Sequence, residues 1–247
     1  MGVVYIAGAG PGDPELITLK ALKTLEIADV VIYDRLVNPQ ILKYAVKAKE
    51  LICVGKEKGE SWKQEEINKL LIEKARHYDV VVRLKNGDPM LFSRGGEECE
   101  ALKEAGIPYE IIPGISSALA APTYAGIPLT HREYSSSVAI VTGHRREEYG
   151  GDLTYLRKIF SRVDTVVVLM GVSNLENIVG EAIASELPTS TLVAVIENAT
   201  LPSQRVYTDK LLNIVKTVKE NDVKPPAVLV FGKVVELREK LKWIEIS

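Results

Sequence analysis

The sequence predicts an α/β protein of two domains, and three observations support this. Short apolar runs such as Val80–Val82 alternate along the chain with stretches of helical spacing. The runs are apolar at consecutive positions, which is typical of parallel strands with helices on both faces. Turn-forming residues such as Gly87-Asp88-Pro89 then end the runs. Since open α/β sheets bind ligands at the carboxyl ends of their strands, these turns are the candidate site.

The composition describes a globular chain whose partner is small. Of the 247 residues, 46% are hydrophobic and 26% are charged, which is enough for a sizeable core. A net charge of −2 and a pI near 6.0 argue against a nucleic-acid surface. The sequence has no membrane-length apolar run, and Cys53 and Cys99 are too few for a disulfide framework or a zinc site. We therefore expect a cytoplasmic protein that spans no membrane.

The apolar pattern divides the chain into two series of strands and helices. In the first half, strands are expected at 3–7, 30–33, 51–54, 80–82 and 109–112, and helices at 16–28, 67–75, 97–105 and 115–125. A boundary is expected within residues 130–137, which gives domains of 1–132 and 133–247. In the second half, strands are expected at 138–141, 165–169, 192–196, near 205–207 and at 227–231, and helices at 153–160, 175–186 and 211–219.

The segment from Arg83 to Glu98 is the stretch around which the chain is organised. Gly87 permits a ligand to approach the backbone closely, and Asp88 offers a carboxylate. If Gly95-Gly96 opens a helix, Arg94 and Glu97 share one face of it. The alternative is a surface turn capped by Asp88, followed by a helix that serves only packing.

Asp34 and Lys56 follow two other predicted strands. A carboxylate and an ammonium in one cleft can accept and donate protons, or they can form an ordinary ion pair. Arg35, Arg94 and Arg132 are expected at the same edge of the sheet. Several cations there suggest a polyanionic ligand, although scattered solubilising charge explains any one of them.

The amino-terminal loop superficially matches a dinucleotide-binding fingerprint, because Gly8, Gly10 and Gly12 follow the first strand and Asp34 ends the second. Pro11 removes a backbone donor from such an anion cradle, and Asp13-Pro14 sets the helix back from the glycines. Both details argue against a nicotinamide-dependent dehydrogenase and against a Rossmann-type methyltransferase, which stay as alternatives beside a plain tight turn.

The remaining features indicate binding by small residues rather than by a metal. The histidines have no metal-ligand spacing, so no metal is expected. Met90 and Phe92 are expected in the core. Met170 offers a soft contact to a thioether or a ring. Small residues also occur at four further predicted strand ends, where a flat ligand could lie against the backbone. These segments are 113–118, 141–144, 169–172 and 197–200.

Seven segments, taken in order, resemble the tetrapyrrole methylase family, and the resemblance covers essentially the whole chain. The segment Leu129–Arg132, together with the Gly87-Asp88-Pro89 loop, is specific to the branch that acts on uroporphyrinogen. The segments are Gly10–Pro14, Tyr33–Val37, Gly55-Lys56, Arg83–Glu98, Pro113–Ser116, Ala125–Arg132 and Val141–His144.

The resemblance implies two α/β domains with a cofactor cleft between them, in a homodimer. It implies S-adenosyl-L-methionine as the cofactor and S-adenosyl-L-homocysteine as its product. The implied cofactor contacts are Pro11, Asn86, Gly87, Asp88, Leu91, Ser116, Ser117, Met170 and Ala199. The implied catalytic residues are Asp34 as proton acceptor, Lys56 as proton donor, and Arg94 and Glu97 near the substrate. The expected substrate contacts are Arg35, His131 and Arg132.

The activity that the resemblance implies is C-methylation of uroporphyrinogen-III at C-2 and C-7, through precorrin-1 to precorrin-2, for sirohaem or cobalamin biosynthesis. A later precorrin C-methyltransferase of the same fold is the alternative within the family, and a non-catalytic ligand-binding module is a further alternative. Asn86 and Ala199 stand where the family generally has glycine, so altered cofactor affinity is expected at those positions.

Overall fold

A computed structural model describes residues 2–55, 63–144 and 152–243. The chain forms two compact units that divide between Ser116 and Ser117. Each unit contains one five-stranded sheet with helices, which confirms the α/β prediction. Within the described residues, no helix combines the length and the apolar character needed to cross a membrane.

The first unit has the order of elements that the apolar pattern predicts. The short helix α2 and a 3₁₀ turn at Pro14–Leu16 are additions, because a single turn leaves no periodic pattern to detect. The elements are β1 (Val3–Gly8), α1 (Leu19–Ile27), β2 (Val30–Tyr33), α2 (Pro39–Leu42), β3 (Glu50–Cys53), α3 (Gln64–His77), β4 (Val80–Lys85), α4 (Gly95–Glu104) and β5 (Tyr109–Ile112).

The sheet of the first unit is entirely parallel, with strand order β3-β2-β4-β1-β5. Helix α1 packs Ala21 and Leu25 on one face, in a cluster with Val31 and Leu84. Helices α3 and α4 pack on the other face, in a cluster built around Ile6. Both faces are therefore covered, which explains why the strands are apolar at consecutive positions.

The neighbouring strands β1 and β4 send the chain to opposite faces of the sheet. The connection after β1 leads to α1 on one face, and the connection after β4 leads to α4 on the other. Such a divergence opens a crevice at the carboxyl ends of the two strands. The loops after Gly8 and Lys85 are therefore the parts of this unit best placed to hold a ligand.

The second unit has the predicted alternation but a different sheet. Its order, β6-β7-β10-β8-β9, joins one parallel pair, β6 and β7, to three antiparallel pairs. The period of apolar residues reports burial and does not report strand direction. The elements are α5 (Ser117–Tyr124), β6 (Val138–Thr142), α6 (Tyr155–Phe160), β7 (Thr165–Leu169), α7 (Leu175–Ala184), β8 (Leu192–Glu197), β9 (Arg205–Lys210), α8 (Ile214–Glu220), β10 (Ala227–Phe231) and α9 (Arg238–Leu241).

The division between the units falls earlier than the boundary expected within 130–137. Helix α5 belongs with the second unit because it contacts β7 and β10. In sequence α5 simply continues the alternation of the first half. The apolar pattern therefore gives no indication that α5 packs against the sheet of the second unit.

Candidate active site

Strand β4 carries two charged residues through the centre of an apolar sheet. Arg83 and Lys85 are each only 2% exposed. They are two positions apart on one strand, so their side chains leave the same face of the sheet. Isolated charges are expensive to bury, so both side chains require partners.

Glu98 on α4 is the partner that the two cations share. Its Oε1 accepts from the Nε of Arg83 at 3.0 Å and from the Nζ of Lys85 at 2.8 Å. Gln64 of α3 donates to the same oxygen at 3.3 Å. The glutamate is fully buried, and its other oxygen, Oε2, has no hydrogen-bond partner in the described part of the chain.

The same guanidinium also reaches Asp34, just beyond the end of β2. The Nη2 of Arg83 lies 2.5 Å from the Oδ1 of Asp34, whose side chain is 32% exposed. Two cations therefore meet two carboxylates in one connected group. Asp34 is the member of this group that solvent reaches.

Burial and charge act in opposite directions on the two cations. Burial opposes the charge on Arg83, but the carboxylates of Glu98 and Asp34 outweigh that effect and leave its pKa raised. For Lys85, burial and then the charge of Arg83 lower the pKa of the ammonium, although Glu98 opposes them. Arg83 is thus the fixed positive charge of the group.

Three glycines bring the loops after β1, β4 and β5 into backbone contact. A Cβ added to Gly8 would lie 2.5 Å from the carbonyl oxygen of Gly87 and 2.6 Å from the Cα of Gly114. Gly87 has a φ of 68°, and it exchanges backbone hydrogen bonds with Gly10. Side chains at Gly8 or Gly114 would push the loops apart, and the positive φ of Gly87 favours glycine there, so the junction itself requires these residues.

Asp88 ties this junction to the next turn. Its Oδ1 accepts from the backbone N–H of Met90 at 2.8 Å, and its Oδ2 accepts from that of Gly114 at 3.2 Å. The capped turn considered as an alternative is therefore present, and it also fixes the loop after β5. A carboxylate has about four acceptor sites, so Asp88 retains capacity for a ligand.

Arg94 and Glu97 lie together at the start of α4, as the sequence predicted. Helix α4 begins at Gly95, and Arg94 precedes it with a φ of 62°. The guanidinium donates to both oxygens of Glu97, at 2.8 and 2.5 Å. These hydrogen bonds raise the pKa of Arg94. A Cβ at Gly95 would lie 2.1 Å from the carbonyl oxygen of Pro89, so this turn also requires glycine.

The prediction that Met90 and Phe92 lie in the core is wrong. They are 53% and 43% exposed. Both belong to the turn between β4 and α4, which the sequence treats as part of an apolar helix face. Phe92 has a φ of 53°, a conformation that is uncommon for a bulky residue and is found most often at functional sites.

In the second unit, β6, β7 and β8 end at one edge of the sheet, because β10 runs antiparallel to both β7 and β8. Met170 follows β7 with a φ of 55° and is half exposed. Ala199 lies between two residues with positive φ, Asn198 at 49° and Thr200 at 67°. The predicted small-residue turns after these strands therefore lie at one edge of this sheet, with β10 between β7 and β8.

The other predicted site residues are distributed over both units. In the first unit, Pro11, Asn86 and Leu91 are partly exposed and Arg35 is exposed; Ser116 is buried at its end. The second unit holds Ser117, His131 and Arg132. Lys56 lies outside the described residues, although the backbone of Gly55, just before it, packs against Arg35. Among the described residues, no group of three or more histidine, cysteine, aspartate or glutamate side chains is arranged to hold a metal ion.

Sequence reasoning missed the buried charges of Arg83, Lys85 and Glu98. A signal was present, because two cations at alternate positions of an apolar strand require a buried counterion. The glutamate that supplies it follows Glu97 directly, and only the rotation of α4 shows which of the two faces inward.

Comparison with known proteins places this geometry in a family. The profile described as Tetrapyrrole (Corrin/Porphyrin) Methylases matches residues 3–214. The chain therefore belongs to the tetrapyrrole methylase family, and the resemblance seen in its motifs is confirmed.

The chain is similar over nearly its full length to particular members of that family. The uroporphyrinogen-III C-methyltransferase of Methanocaldococcus jannaschii is 51% identical over 238 residues, which is 96% of this chain and 98% of that protein. The Bacillus subtilis protein of the same name is 46% identical over 246 residues, covering 99% and 95%. A crystal structure of uroporphyrin-III C-methyl transferase from Thermus thermophilus, complexed with S-adenyl homocysteine, matches with a TM-score of 0.82 and 42% identity, covering 96% of this chain and 100% of that one.

Replacing Gly114 by alanine tests the glycine junction. The added Cβ would lie 2.3 Å from the carbonyl oxygen of Gly87 and 2.7 Å from the Cα of Gly8. Because these are backbone atoms of a packed junction, we expect the free energy of unfolding in urea to fall by about 1–3 kcal/mol. Gly96→Ala is the matched control, since a Cβ there meets nothing within 4 Å. If the two variants unfolded at the same urea concentration, the glycine junction would not be required for stability.

Replacing Glu98 by glutamine tests the buried charge group. The variant removes the carboxylate to which Lys85 is paired and leaves Arg83 with its ion pair to Asp34. Removing one partner of a buried ion pair costs about 3–5 kcal/mol. Adding Lys85→Met removes the surplus cation, so the double variant should unfold at a higher denaturant concentration than Glu98→Gln alone. Glu97→Gln, at a half-exposed glutamate, serves as the control. A Glu98→Gln protein as stable as this control would refute the assignment.

Proposed function

We propose that the protein is an S-adenosyl-L-methionine-dependent methyltransferase that methylates uroporphyrinogen-III at C-2 and C-7, through precorrin-1 to precorrin-2. The observation that carries the proposal is identity of 46–51% with two proteins named for this activity, over almost the whole of each chain. The carboxyl-edge site of the first unit, with its glycine junction and its cations, supports it.

The first unit supplies backbone contacts that suit a nucleotide cofactor. Gly87 lies where the backbones of three loops meet, and Asp88 keeps acceptor capacity for a hydroxyl or a cationic group. The proposal assigns cofactor contacts to Pro11, Asn86, Gly87, Asp88, Leu91 and Ser116 here, and to Ser117, Met170 and Ala199 in the second unit. When bound, S-adenosyl-L-methionine would supply an electrophilic methyl group on a sulfonium and leave as S-adenosyl-L-homocysteine.

The two positions that depart from the family pattern differ in their surroundings. In the Asn86-Gly87 turn the positive φ falls on Gly87, so Asn86 does not need the permissive backbone that glycine provides. Ala199 adds one methyl group between two strained neighbours. The proposal places any change in cofactor affinity mainly at Ala199.

Exposed cations suit a substrate that carries many carboxylates. Arg35 and Arg94 lie in loops at the carboxyl edge of the first sheet. Arg94 is held by both oxygens of Glu97, so its guanidinium is presented in a fixed orientation. The proposal gives Arg94 the task of orienting one substrate carboxylate, Glu97 the task of positioning Arg94, and Arg35, His131 and Arg132 further contacts to the acid groups.

Asp34 is the proposed proton acceptor. Attack by an electron-rich pyrrole carbon leaves a proton on the ring that a base must later remove. Arg83 bonds to Oδ1 of Asp34, which leaves Oδ2 as the oxygen to receive the proton. Lys56 is the proposed proton donor on the strength of the resemblance alone, since it lies outside the described residues.

Two alternative functions differ from the proposed one, the first in its substrate and the second in the loop geometry that it needs. A later precorrin C-methyltransferase would not consume uroporphyrinogen-III. A nicotinamide-dependent dehydrogenase would need the glycine loop to run directly into a helix. In this chain a short 3₁₀ turn at Pro14–Leu16 precedes α1, which begins at Leu19 with Thr18 as its N-cap.

We further propose a homodimer in the cytoplasm that serves sirohaem or cobalamin biosynthesis.

Mass spectrometry of the product tests the activity directly. Purified protein incubated without oxygen with uroporphyrinogen-III and S-adenosyl-L-methionine should give a tetrapyrrole that carries two additional methyl groups. Two molecules of S-adenosyl-L-homocysteine should form for each tetrapyrrole consumed. The same incubation without cofactor is the control. Unchanged uroporphyrinogen-III would overturn the proposal, and a product with one methyl group would restrict it to the first transfer.

Substitution of the proposed proton acceptor and the proposed substrate cation tests the roles. Asp34→Asn should lower kcat by about 10²–10⁴-fold, the usual contribution of a positioned acid or base, with the Kd for S-adenosyl-L-methionine unchanged. Arg94→Ala should instead mainly raise the KM for uroporphyrinogen-III, because it removes a charged hydrogen bond. Arg157→Ala, at an ion pair on α6, is the control. Wild-type turnover and substrate binding in both variants would show the roles to be wrong.

A further inference from the structure

We propose that Arg83 is a positioning residue for the methyl-transfer reaction: its guanidinium fixes the carboxylate of Asp34 by bonding to Asp34 and Glu98 at once. The inference rests on the proposed function, because it gives Asp34 the task of accepting a proton. It adds a residue that touches neither substrate nor cofactor and that acts through Asp34.

The sheet register explains how Arg83 reaches Asp34. Arg83 lies opposite Ile32 in the β2–β4 pairing, and Asp34 is two positions beyond Ile32. Side chains two positions apart on an extended chain leave the same face, so Asp34 and Arg83 are diagonal neighbours on the face that α4 covers. A long side chain closes this diagonal, and the Nη2 of Arg83 meets the Oδ1 of Asp34 at 2.5 Å.

Other contacts immobilise the guanidinium. Its Nε donates to Glu98 at 3.0 Å, and its Nη1 lies 3.4 Å from the carbonyl oxygen of Ile32 and 3.3 Å from that of Leu84. These acceptors belong to a buried helix residue and to two central strands. The plane of the guanidinium is therefore set by the sheet and α4, and the guanidinium in turn orients the carboxylate of Asp34.

Lysine at position 83 would keep the charge and lose the geometry. A single ammonium on a flexible stem cannot reproduce the rigid, planar array of donors with which Arg83 bonds to two carboxylates at once. Asp34 would then keep a nearby cation without a fixed hydrogen bond. Arg83→Lys therefore separates the positioning of Asp34 from the charge balance of the buried group.

A double-mutant cycle between Arg83 and Asp34 tests the inference. Turnover is measured in single-turnover reactions, with enzyme in excess over uroporphyrinogen-III and with saturating S-adenosyl-L-methionine, for wild type, Arg83→Lys, Asp34→Asn and the double variant. We expect Arg83→Lys to slow the wild-type reaction by roughly 100-fold, as a displaced catalytic group does. In the Asp34→Asn background the same change should alter the rate by less than about twofold, because the group that Arg83 positions is already lost. The Kd for S-adenosyl-L-methionine should stay unchanged throughout.

The control is Arg157→Lys, which alters an arginine bonded to both oxygens of a glutamate, Glu181, in the second unit. It should leave the rate unchanged in both backgrounds. If Arg83→Lys slows both backgrounds by the same factor, or weakens cofactor binding, Arg83 has a structural role only and the inference is overturned. If Arg83→Lys turns over at the wild-type rate, the inference is likewise overturned. A wild-type protein that methylates nothing would instead overturn the proposed function, and the inference with it.

Discussion

The buried guanidinium of Arg83 is the interaction on which the first unit depends. Strand β4 lies at the centre of a parallel sheet, and its two cations require a carboxylate from each of two other elements. Glu98 fixes the rotation of α4 about its axis, and Asp34 fixes the end of β2. Because burying charge without partners is so costly, these positions cannot shift independently. A stability requirement and a functional geometry therefore coincide in one group of side chains.

The glycine junction supplies what the charge group does not. Charges hold the elements on one face of the sheet, while Gly8, Gly87 and Gly114 let the loops after the central strands touch through their backbones. The resulting edge combines rigid backbone, an anchored Asp88 and a partly exposed Asp34. It forms where β1 and β4 send their connections to opposite faces, the place at which α/β sheets generally bind ligands. The second unit adds a corresponding edge, with backbone strain at Met170, Asn198 and Thr200.

The sequence predicted those features that leave a local pattern. Apolar runs located the strands, and turn residues placed the candidate site at strand ends, where Gly87, Asp88 and Arg94 are found. Features that depend on residues distant in the sequence do not show in a local pattern. The direction of β10 and the attachment of α5 to the second sheet are set by tertiary pairing. Met90 and Phe92 matched an apolar pattern yet lie exposed in a turn. The pairing of Arg83 with Asp34 joins residues far apart in sequence, and only the strand register reveals it.

A crystal structure of the Arg83→Lys protein with S-adenosyl-L-homocysteine, compared with wild type in the same crystal form, tests the central claim most directly. If Arg83 holds Asp34 in place, the strands and α4 will superpose while the Asp34 side chain loses its partner and occupies more than one orientation. A single, unshifted Asp34 carboxylate in the variant would show that other contacts fix it and that Arg83 serves only to balance buried charge.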